Sequence, residues 1–200
     1  QRLRIRLAAP TGKAAARLTE SIGEQVEKLE VEAAVRDAIP TEVTTLHRLL
    51  GTRPDSRHFR HHADNPLHAD LVVVDEASMI DMDMMASLLA ALSPHTRLIL
   101  LGDKDPLASV EAGAVMGDLC RHAHQGRYQQ STIEFVRDTC GAEISDYQET
   151  EQAPGNALAQ QTAMLRTNWR SKDSPGIGEL ARAVNEENLP QVRKAFQQYD

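Results

Sequence analysis

Two adjacent carboxylates, Asp75 and Glu76, follow the apolar run at residues 71–74, and an amphipathic segment comes directly after them. Such a run of β-branched residues predicts a strand buried on both faces in a parallel sheet, with its carboxyl end opening on a ligand crevice. Carboxylate oxygens suit Mg²⁺, and a second carboxylate can orient or deprotonate a water molecule. The pair therefore predicts that Asp75 binds Mg²⁺ and that Glu76 activates water. A strand that simply ends in a polar turn is the alternative.

A second apolar run, residues 97–101, ends in Gly102 and Asp103. Between the two runs, apolar residues recur at helical spacing over residues 82–92. A strand, a helix and a second strand predict a right-handed βαβ unit with parallel strands. Both acidic turns would then lie at the same edge of the sheet. This coincidence favours a nucleotide site over two solvated loops.

Composition limits the classes of protein to which the chain can belong. Its 200 residues, 41% of them hydrophobic, suit one domain or slightly more, with a buried core. No apolar run is long enough to span a membrane, and the N-terminal residues lack the apolar core of a signal peptide, so we expect a cytoplasmic protein without membrane contact. Cys120 and Cys140 are too few for a disulfide framework or a zinc site. The net charge of −7 argues against a wholly basic nucleic-acid binder, although residues 1–20 are locally basic.

A strand-to-helix turn near the N-terminus is predicted to bind an anion. Residues 9–13 (APTGK) follow an alternating strand pattern and begin a helical segment. The turn departs from the phosphate-binding pattern GxxxxGK[ST], because Leu7 replaces its first glycine and Ala14 its hydroxyl residue. A helix N-terminus with Thr11 and Lys13 still favours an anion, which could be a nucleic-acid phosphate.

Five segments stand in the same order as in a known family. The sequence resembles the superfamily 1 DNA helicases and, within them, the RecD-like alpha subunits of exodeoxyribonuclease V. The matching segments are APTGKAA (9–15), TLHRLLG (45–51), VVVDEASMID (72–81), LILLGDKDPLASVEAG (98–113) and LRTNWRS (165–171). One motif alone would be weak, but five in order are specific. The resemblance implies an α/β fold, with a RecA-like parallel sheet flanked by helices, as an incomplete domain.

Two segments are predicted to contact single-stranded DNA. In the family the PTGKAA segment touches the strand, a role that falls here on Pro10, Thr11 and Lys13. The TLHRLLG segment could form a short helix that is capped at Thr44 or Thr45 and presents His47 or Arg48 to DNA while the leucines pack inward. Thr45 and His47 are the predicted DNA contacts. A purely structural capped helix is the alternative for this second segment.

ATP and Mg²⁺ are the cofactors that the resemblance implies. The DEAS segment of the family holds the metal and activates water, so Asp75 and Glu76 would be catalytic and Asp75 the metal ligand. Gly102 and Asp103 would link the γ-phosphate to DNA. Arg170 would reach the nucleotide from a second RecA-like domain and assist catalysis. The implied protein partners are other subunits of an exodeoxyribonuclease V-type complex, acting in double-strand break repair and recombination.

Two departures from the family pattern bear on activity. Pro106 replaces the glutamine of the GDxxQL segment and offers no side-chain hydrogen bond to a γ-phosphate. The phosphate-binding loop and the later helicase motifs are absent, so we expect a piece of a longer helicase that does not hydrolyse ATP alone. A non-catalytic RecA-like module that binds single-stranded DNA or partner subunits is the alternative. A P-loop ATPase of clamp-loader type would leave the PTGKAA and TLHRLL segments unexplained.

The predicted organisation has three parts. Residues 1–124 would form a partial motor domain, residues 125–162 a family-specific insertion or loop, and residues 163–200 the start of a second RecA-like domain. The acidic character of the middle part makes contact with DNA unexpected.

A polar segment at residues 52–68 carries several histidines and arginines. Its histidines lack the Cys or carboxylate spacing of a metal site, so a solvated loop is the prediction. Contact of its arginines with a DNA backbone is the alternative. The residues concerned are His58, His61, His62 and His68, with Arg53, Arg57 and Arg60.

Overall fold

The computed structural model describes residues 3–53, 55–56, 58–103, 114–166, 179–180, 183–184 and 188–199. The chain divides into two compact units, Gln1–Arg121 and His122–Asp200. The finer division at residues 124 and 162 stays a prediction.

A parallel sheet forms the centre of the first unit. Its strands are β1 (Ile5–Ala9), β2 (Val43–Thr45), β3 (Leu71–Val74) and β4 (Arg97–Leu100), in the order β2-β1-β3-β4. Its helices are α1 (Gly12–Glu27), α2 (Ala33–Arg36), α3 (Leu46–Leu50), α4 (Met82–Ala90) and α5 (Ala114–Leu119). All three strand pairs are parallel. The predicted α/β fold, a RecA-like sheet flanked by helices, is therefore confirmed.

The strands are in register at their carboxyl ends. Ala8 of β1 lies beside Val74 of β3, and Ala9 lies beside Thr45 of β2. Val74 in turn lies beside Leu100 of β4. Because each pair is parallel, the turns that follow the four strands leave the sheet at one edge.

The main core lies on one face of the sheet. Val72 and Val74 of β3 are fully buried there, as are Leu46, Leu50 and Leu88 from the covering helices. Burying an aliphatic side chain of this size stabilises a fold by about 1.5–3 kcal/mol. These contacts fix β3 and therefore the turn that follows it.

The other face of the sheet is covered unevenly. There α1 packs its apolar side on β1 and β2, in a cluster that includes Ala15 and Val43. Val73 of β3 is only half-buried and Ile99 of β4 is exposed. The expectation that β3 is buried on both faces therefore holds for one face only. On the other face α1 covers β1 and β2 and does not extend over β3.

The second unit is held by a buried tyrosine and a glutamine. Among its described residues are the helices α6 (Gln130–Cys140) and α7 (Leu189–Tyr199), with 3₁₀ turns at Ser145–Tyr147 and Ala159–Gln161. The Tyr128 hydroxyl donates to the Thr162 carbonyl at 2.8 Å, and burial raises the pKa of this phenol. The Gln160 amide oxygen accepts from the Gln129 N–H at 2.9 Å and from the Thr132 hydroxyl at 2.7 Å.

No helix in the described part of the chain is both long and apolar enough to cross a membrane.

Candidate functional site

The predicted site residues that the structure describes lie at the carboxyl edge of the sheet. Residues 10–13 follow β1, residues 45–47 end β2 and begin α3, and residues 75–76 follow β3. The register places the ends of β2 and β3 on either side of β1. The edge therefore brings together two segments predicted to contact DNA and the carboxylate pair.

The turn after β3 holds Asp75 and Glu76 in a fixed backbone conformation. The Asp75 N–H donates to the Ala8 carbonyl at 3.0 Å, and the Asp75 Oδ1 accepts from the Glu76 N–H at 2.9 Å. Glu76 has φ 53° and ψ 36°, in the left-handed region. This conformation costs about 1–2 kcal/mol for a residue with a Cβ. Because strain of this kind is concentrated at functional sites, the turn is a candidate for one.

The turn is also joined to the end of β4. The Leu101 N–H donates to the Val74 carbonyl at 2.8 Å, and the Ala77 N–H donates to the Leu101 carbonyl at 2.8 Å. A methyl group on Gly102 would come within 3.0 Å of the Ser78 backbone nitrogen. Gly102 is thus needed for the close approach of the two turns. We call these contacts between residues 74–78 and 101–102 the β3–β4 clasp.

Carboxylate chemistry at this edge fits a magnesium ion held together with phosphate. Asp75 is half-buried and Glu76 is exposed, and no ion pair involves either within the described residues. In the same part of the chain, no three His, Cys, Asp or Glu side chains form a metal centre. Mg²⁺ commonly takes one or two protein carboxylates and completes its shell with phosphate and water. Asp75 and Glu76 meet that requirement.

Thr11 begins α1 and leaves Lys13 in solvent. The Thr11 Oγ1 accepts from the Ala14 N–H at 3.2 Å, which caps the helix. Lys13 is exposed in the first turn of this 16-residue helix, and Pro10 is half-buried before it. A helix N-terminus and a nearby cation attract an anion. The geometry is therefore suited to a phosphate, although the hydroxyl oxygen of Thr11 already serves the cap.

Thr45 begins α3 in the same way. Its Oγ1 accepts from the Arg48 N–H at 3.3 Å, so the predicted cap is confirmed at Thr45. His47 is exposed and its ring meets that of Phe59 edge to face, with centroids 5.9 Å apart. This contact orients the His47 ring, whereas the sequence predicted only that His47 lies on a helix. Phe59 itself gave no sequence signal, because it lies in a polar loop.

Three of the residues singled out in the sequence lie outside the described part of the chain. These are Arg170, predicted to contact the nucleotide, Pro106, which replaces the family glutamine, and Arg57 of the polar segment. Asp103 ends the described segment after β4 and is exposed. The individual roles given to all the site residues stay predictions.

The opposite, amino edge of the sheet carries an ion pair that the sequence analysis missed. The Arg4 Nη2 and Nε donate to the two Asp70 carboxylate oxygens at 2.8 and 3.1 Å, and the Arg4 N–H donates to Oδ2 at 2.8 Å. The hydrogen bonds from the Arg4 side chain lower the pKa of Asp70 to about 2. This pair joins the residues that precede β1 and β3.

Comparisons with known proteins agree with the geometry. The family model described as an AAA domain matches residues 1–112. The chain is 40% identical over 204 residues to the RecBCD enzyme subunit RecD of Haemophilus influenzae, across 99% of this chain and 31% of that protein. It is 57% identical over 117 residues to the RecBCD enzyme subunit RecD of Mycolicibacterium smegmatis, across 58% of this chain and 21% of that protein.

A third similarity is to the ATP-dependent RecD2 DNA helicase of Deinococcus radiodurans, at 42% identity over 111 residues, 56% of this chain and 13% of that protein. The chain thus spans about a third or less of the length of these three relatives. The similarities confirm the predicted resemblance to RecD-like superfamily 1 helicases.

Proposed function

The chain belongs to the AAA domain family, and from this we propose that it forms part of the ATP-driven motor of a RecD-like DNA helicase subunit. The whole protein would move along single-stranded DNA at double-strand breaks, in the cytoplasm, together with other subunits of an exodeoxyribonuclease V-type complex. One observation carries the proposal. The carboxyl edge of one sheet holds the carboxylate pair beside the predicted DNA segment that follows β1, and the second predicted DNA segment, which follows β2, lies on the other side of β1.

The carboxylate pair would serve ATP hydrolysis. Asp75 would hold Mg²⁺, and Glu76 would orient or deprotonate the attacking water. When bound, Mg²⁺ neutralises charge that develops on the β- and γ-phosphates. The Asp75 and Ala77 N–H groups hold the turn on both sides of Glu76. Preorganisation of this kind avoids a rearrangement during the reaction.

The DNA-facing segments would be coupled to hydrolysis through β1. The Asp75 N–H donates to the Ala8 carbonyl, two residues before Pro10. On its other side, β1 pairs with β2, whose last residue caps α3. A displacement of the carboxylate turn would therefore reach both Lys13 and His47 through directly hydrogen-bonded strands.

Three further residues complete the proposed nucleotide site. Gly102 and Asp103 follow β4 and would link the γ-phosphate to DNA. Arg170 would contact the nucleotide from the second RecA-like domain. The β3–β4 clasp supports the first assignment, because Gly102 lies against the backbone of the carboxylate turn.

A non-catalytic module is the second candidate function. It is favoured by Pro106, which replaces the glutamine expected to sense the γ-phosphate. Such a module would bind single-stranded DNA or partner subunits without turnover of ATP.

ATP turnover by the whole protein, measured with and without single-stranded DNA, separates the two functions. We expect DNA to stimulate turnover, and Lys13→Ala to raise the DNA concentration needed for half-maximal stimulation. Loss of one phosphate contact should also reduce the slope of log affinity against log salt by about 0.7. Lys28→Ala, at the other end of α1, is the matched control and should behave as the wild type.

Two other outcomes would argue against the helicase motor. DNA binding without any ATP turnover would favour the non-catalytic module. Failure of the whole protein to bind single-stranded DNA would contradict the helicase motor and leave only a module that binds partner subunits.

A further inference from the structure

The loop that follows α3 forms a pocket with α4. The pocket has a volume of 400 Å³ and is lined by Arg53, His58, Phe59, His61 and His62, with Ser87 and Ala90 of α4. We call it the histidine pocket. We propose that the histidine pocket binds a phosphate group of the nucleic-acid backbone, as an extension of the strand-contact surface at His47. This inference rests on the proposed function and adds a site to it.

The loop is built onto α3 and the core. The His61 N–H donates to the Leu50 carbonyl at 2.9 Å, and the Arg60 N–H donates to the Gly51 carbonyl at 2.8 Å. Asn65 then holds the chain from its other side, donating through Nδ2 to the Arg60 carbonyl at 2.8 Å. Phe59 packs against the core cluster of the first unit. The pocket walls are therefore positioned before any ligand arrives.

The chemistry of the lining favours an anion. One guanidinium and three imidazoles contribute to the wall, and none of the seven lining residues that the structure describes is a carboxylate. Arginine donates in a planar fork that matches phosphate oxygens, and an imidazole can donate through Nε2. In His61 and His62 the Nδ1 atoms already contact the Asn65 carbonyl and the Asp64 N–H, which leaves Nε2 for a ligand. A divalent metal is a poorer fit, because the described residues contain no group of three ligands that could hold one.

The pocket is continuous with the predicted DNA surface. Phe59 lines the pocket and also contacts the His47 ring, with centroids 5.9 Å apart. A strand that passes His47 would therefore reach the pocket without leaving the protein surface. Phosphate contacts of this kind strengthen binding and fix the path of the strand without reading its sequence.

Histidines make the contact dependent on pH. Imidazoles gain positive charge as the pH falls between about 8 and 5, and phosphodiesters stay negative. Charged groups around the pocket come from both elements. The loop supplies Arg60, Asp55 and Asp64, the last with Oδ2 at 3.9 Å from the His62 Nδ1, and α4 supplies Asp83 one turn before Ser87. His47 faces Phe59 from α3.

The test measures the affinity of the whole protein for single-stranded DNA at two pH values. For the wild type, lowering the pH from about 8 to about 6 should strengthen binding and steepen the salt dependence by about 0.7 for one added phosphate contact. The double variant His58→Gln and His62→Gln should lose this steepening. His95→Gln, an exposed histidine outside the pocket, is the matched control.

The second arm uses inorganic phosphate and the NMR signals of the histidine side chains. Signals of His58 and His62 should move with DNA at concentrations far below those of inorganic phosphate that produce a similar shift. If the salt dependence of DNA binding steepened equally in the double variant, the phosphate site in the histidine pocket would be overturned and the proposed function would stand. Shifts with inorganic phosphate but none with bound DNA would overturn the nucleic-acid ligand. A wild type that does not bind DNA would instead contradict the proposed function on which the pocket rests.

Discussion

Strand β3 has an aspartate at each end, and the two aspartates have opposite surroundings. Asp70, before the strand, receives three hydrogen bonds from Arg4, and the side-chain bonds lower its pKa to about 2. Asp75, after the strand, receives a hydrogen bond from the Glu76 N–H and forms no ion pair within the described residues. Asp70 is thus paired with a cation, whereas Asp75, five residues later, has no such partner within the described residues.

The difference shows what each edge of the sheet is suited to do. At the amino edge, Arg4 satisfies the carboxylate, so Asp70 joins two strands and has little capacity left for a ligand. At the carboxyl edge, Glu76 is held in a strained left-handed conformation, and no ion pair within the described residues compensates either carboxylate. An uncompensated pair of carboxylates is what a metal–phosphate ligand requires.

The largest expected effect comes from exchanging the two aspartates for asparagine, one at a time, in the whole protein. Asp75→Asn should lower DNA-stimulated ATP turnover by about 100-fold or more, because it would remove the charge of the proposed Mg²⁺ ligand. Asp70→Asn should leave turnover unchanged and lower Tm by no more than about 4 °C. Steady-state turnover and thermal unfolding of both variants measure the contrast.

The reverse pattern would break the comparison. If Asp70→Asn abolished turnover while Asp75→Asn only lowered Tm, the two edges would have been assigned the wrong way round. Both variants keep the size of the side chain, so a change of packing does not explain either outcome.

A smaller effect is expected at the β3–β4 clasp. Gly102→Ala would bring a methyl group to 3.0 Å from the Ser78 backbone nitrogen. Overpacking of this kind costs about 1–3 kcal/mol, which denaturant unfolding should detect. Because the clasp holds the turn next to Glu76, DNA-stimulated turnover should fall as well.

Gly23→Ala is the matched control for the clasp. A methyl group there meets nothing within 4 Å, and Gly23 lies inside α1. Alanine should therefore stabilise the protein, by up to about 1 kcal/mol. A Gly102→Ala variant as stable as the wild type would show that the two turns do not need their close approach.

The smallest effect is the pH dependence of the Arg4–Asp70 pair. The pKa of Asp70 falls from 3.8 in the unfolded chain to about 2 in the folded one, so the pair contributes stability above pH 3.8. That contribution should be lost as the pH falls through about 2. Thermal unfolding of the wild type and of Asp70→Asn between pH 5 and 2 should show the Tm difference narrowing toward acid pH. A difference that stays constant down to pH 2 would contradict the ion pair.

Much of the sheet could be predicted from the sequence because its apolar runs are short, continuous and separated by helical spacing. Residues 71–74 and 97–101 gave the βαβ unit, and with it the shared edge of the acidic turns. The inward-facing leucines indicated a short helix capped at Thr44 or Thr45, and the structure places the cap at Thr45. Local patterns were sufficient wherever the contact lay within one element or between consecutive elements.

The remaining features depend on residues that are distant in sequence. Arg4 and Asp70 meet only because β1 pairs with β3 in one register, which no local pattern specifies. The left-handed conformation of Glu76 follows from the contacts of Asp75 with β1 and of Ala77 with the end of β4. Phe59 was missed because its loop is polar, and its packing partner His47 belongs to a preceding helix.

Glu76→Gln tests the central claim most directly, through DNA-stimulated ATP turnover of the whole protein. The amide keeps the size of the side chain but cannot accept a proton from water. Turnover should fall by about 100-fold or more, while single-stranded DNA and ATP still bind. A variant that hydrolyses ATP at the wild-type rate would contradict the claim that the carboxyl edge of β3 is the catalytic edge.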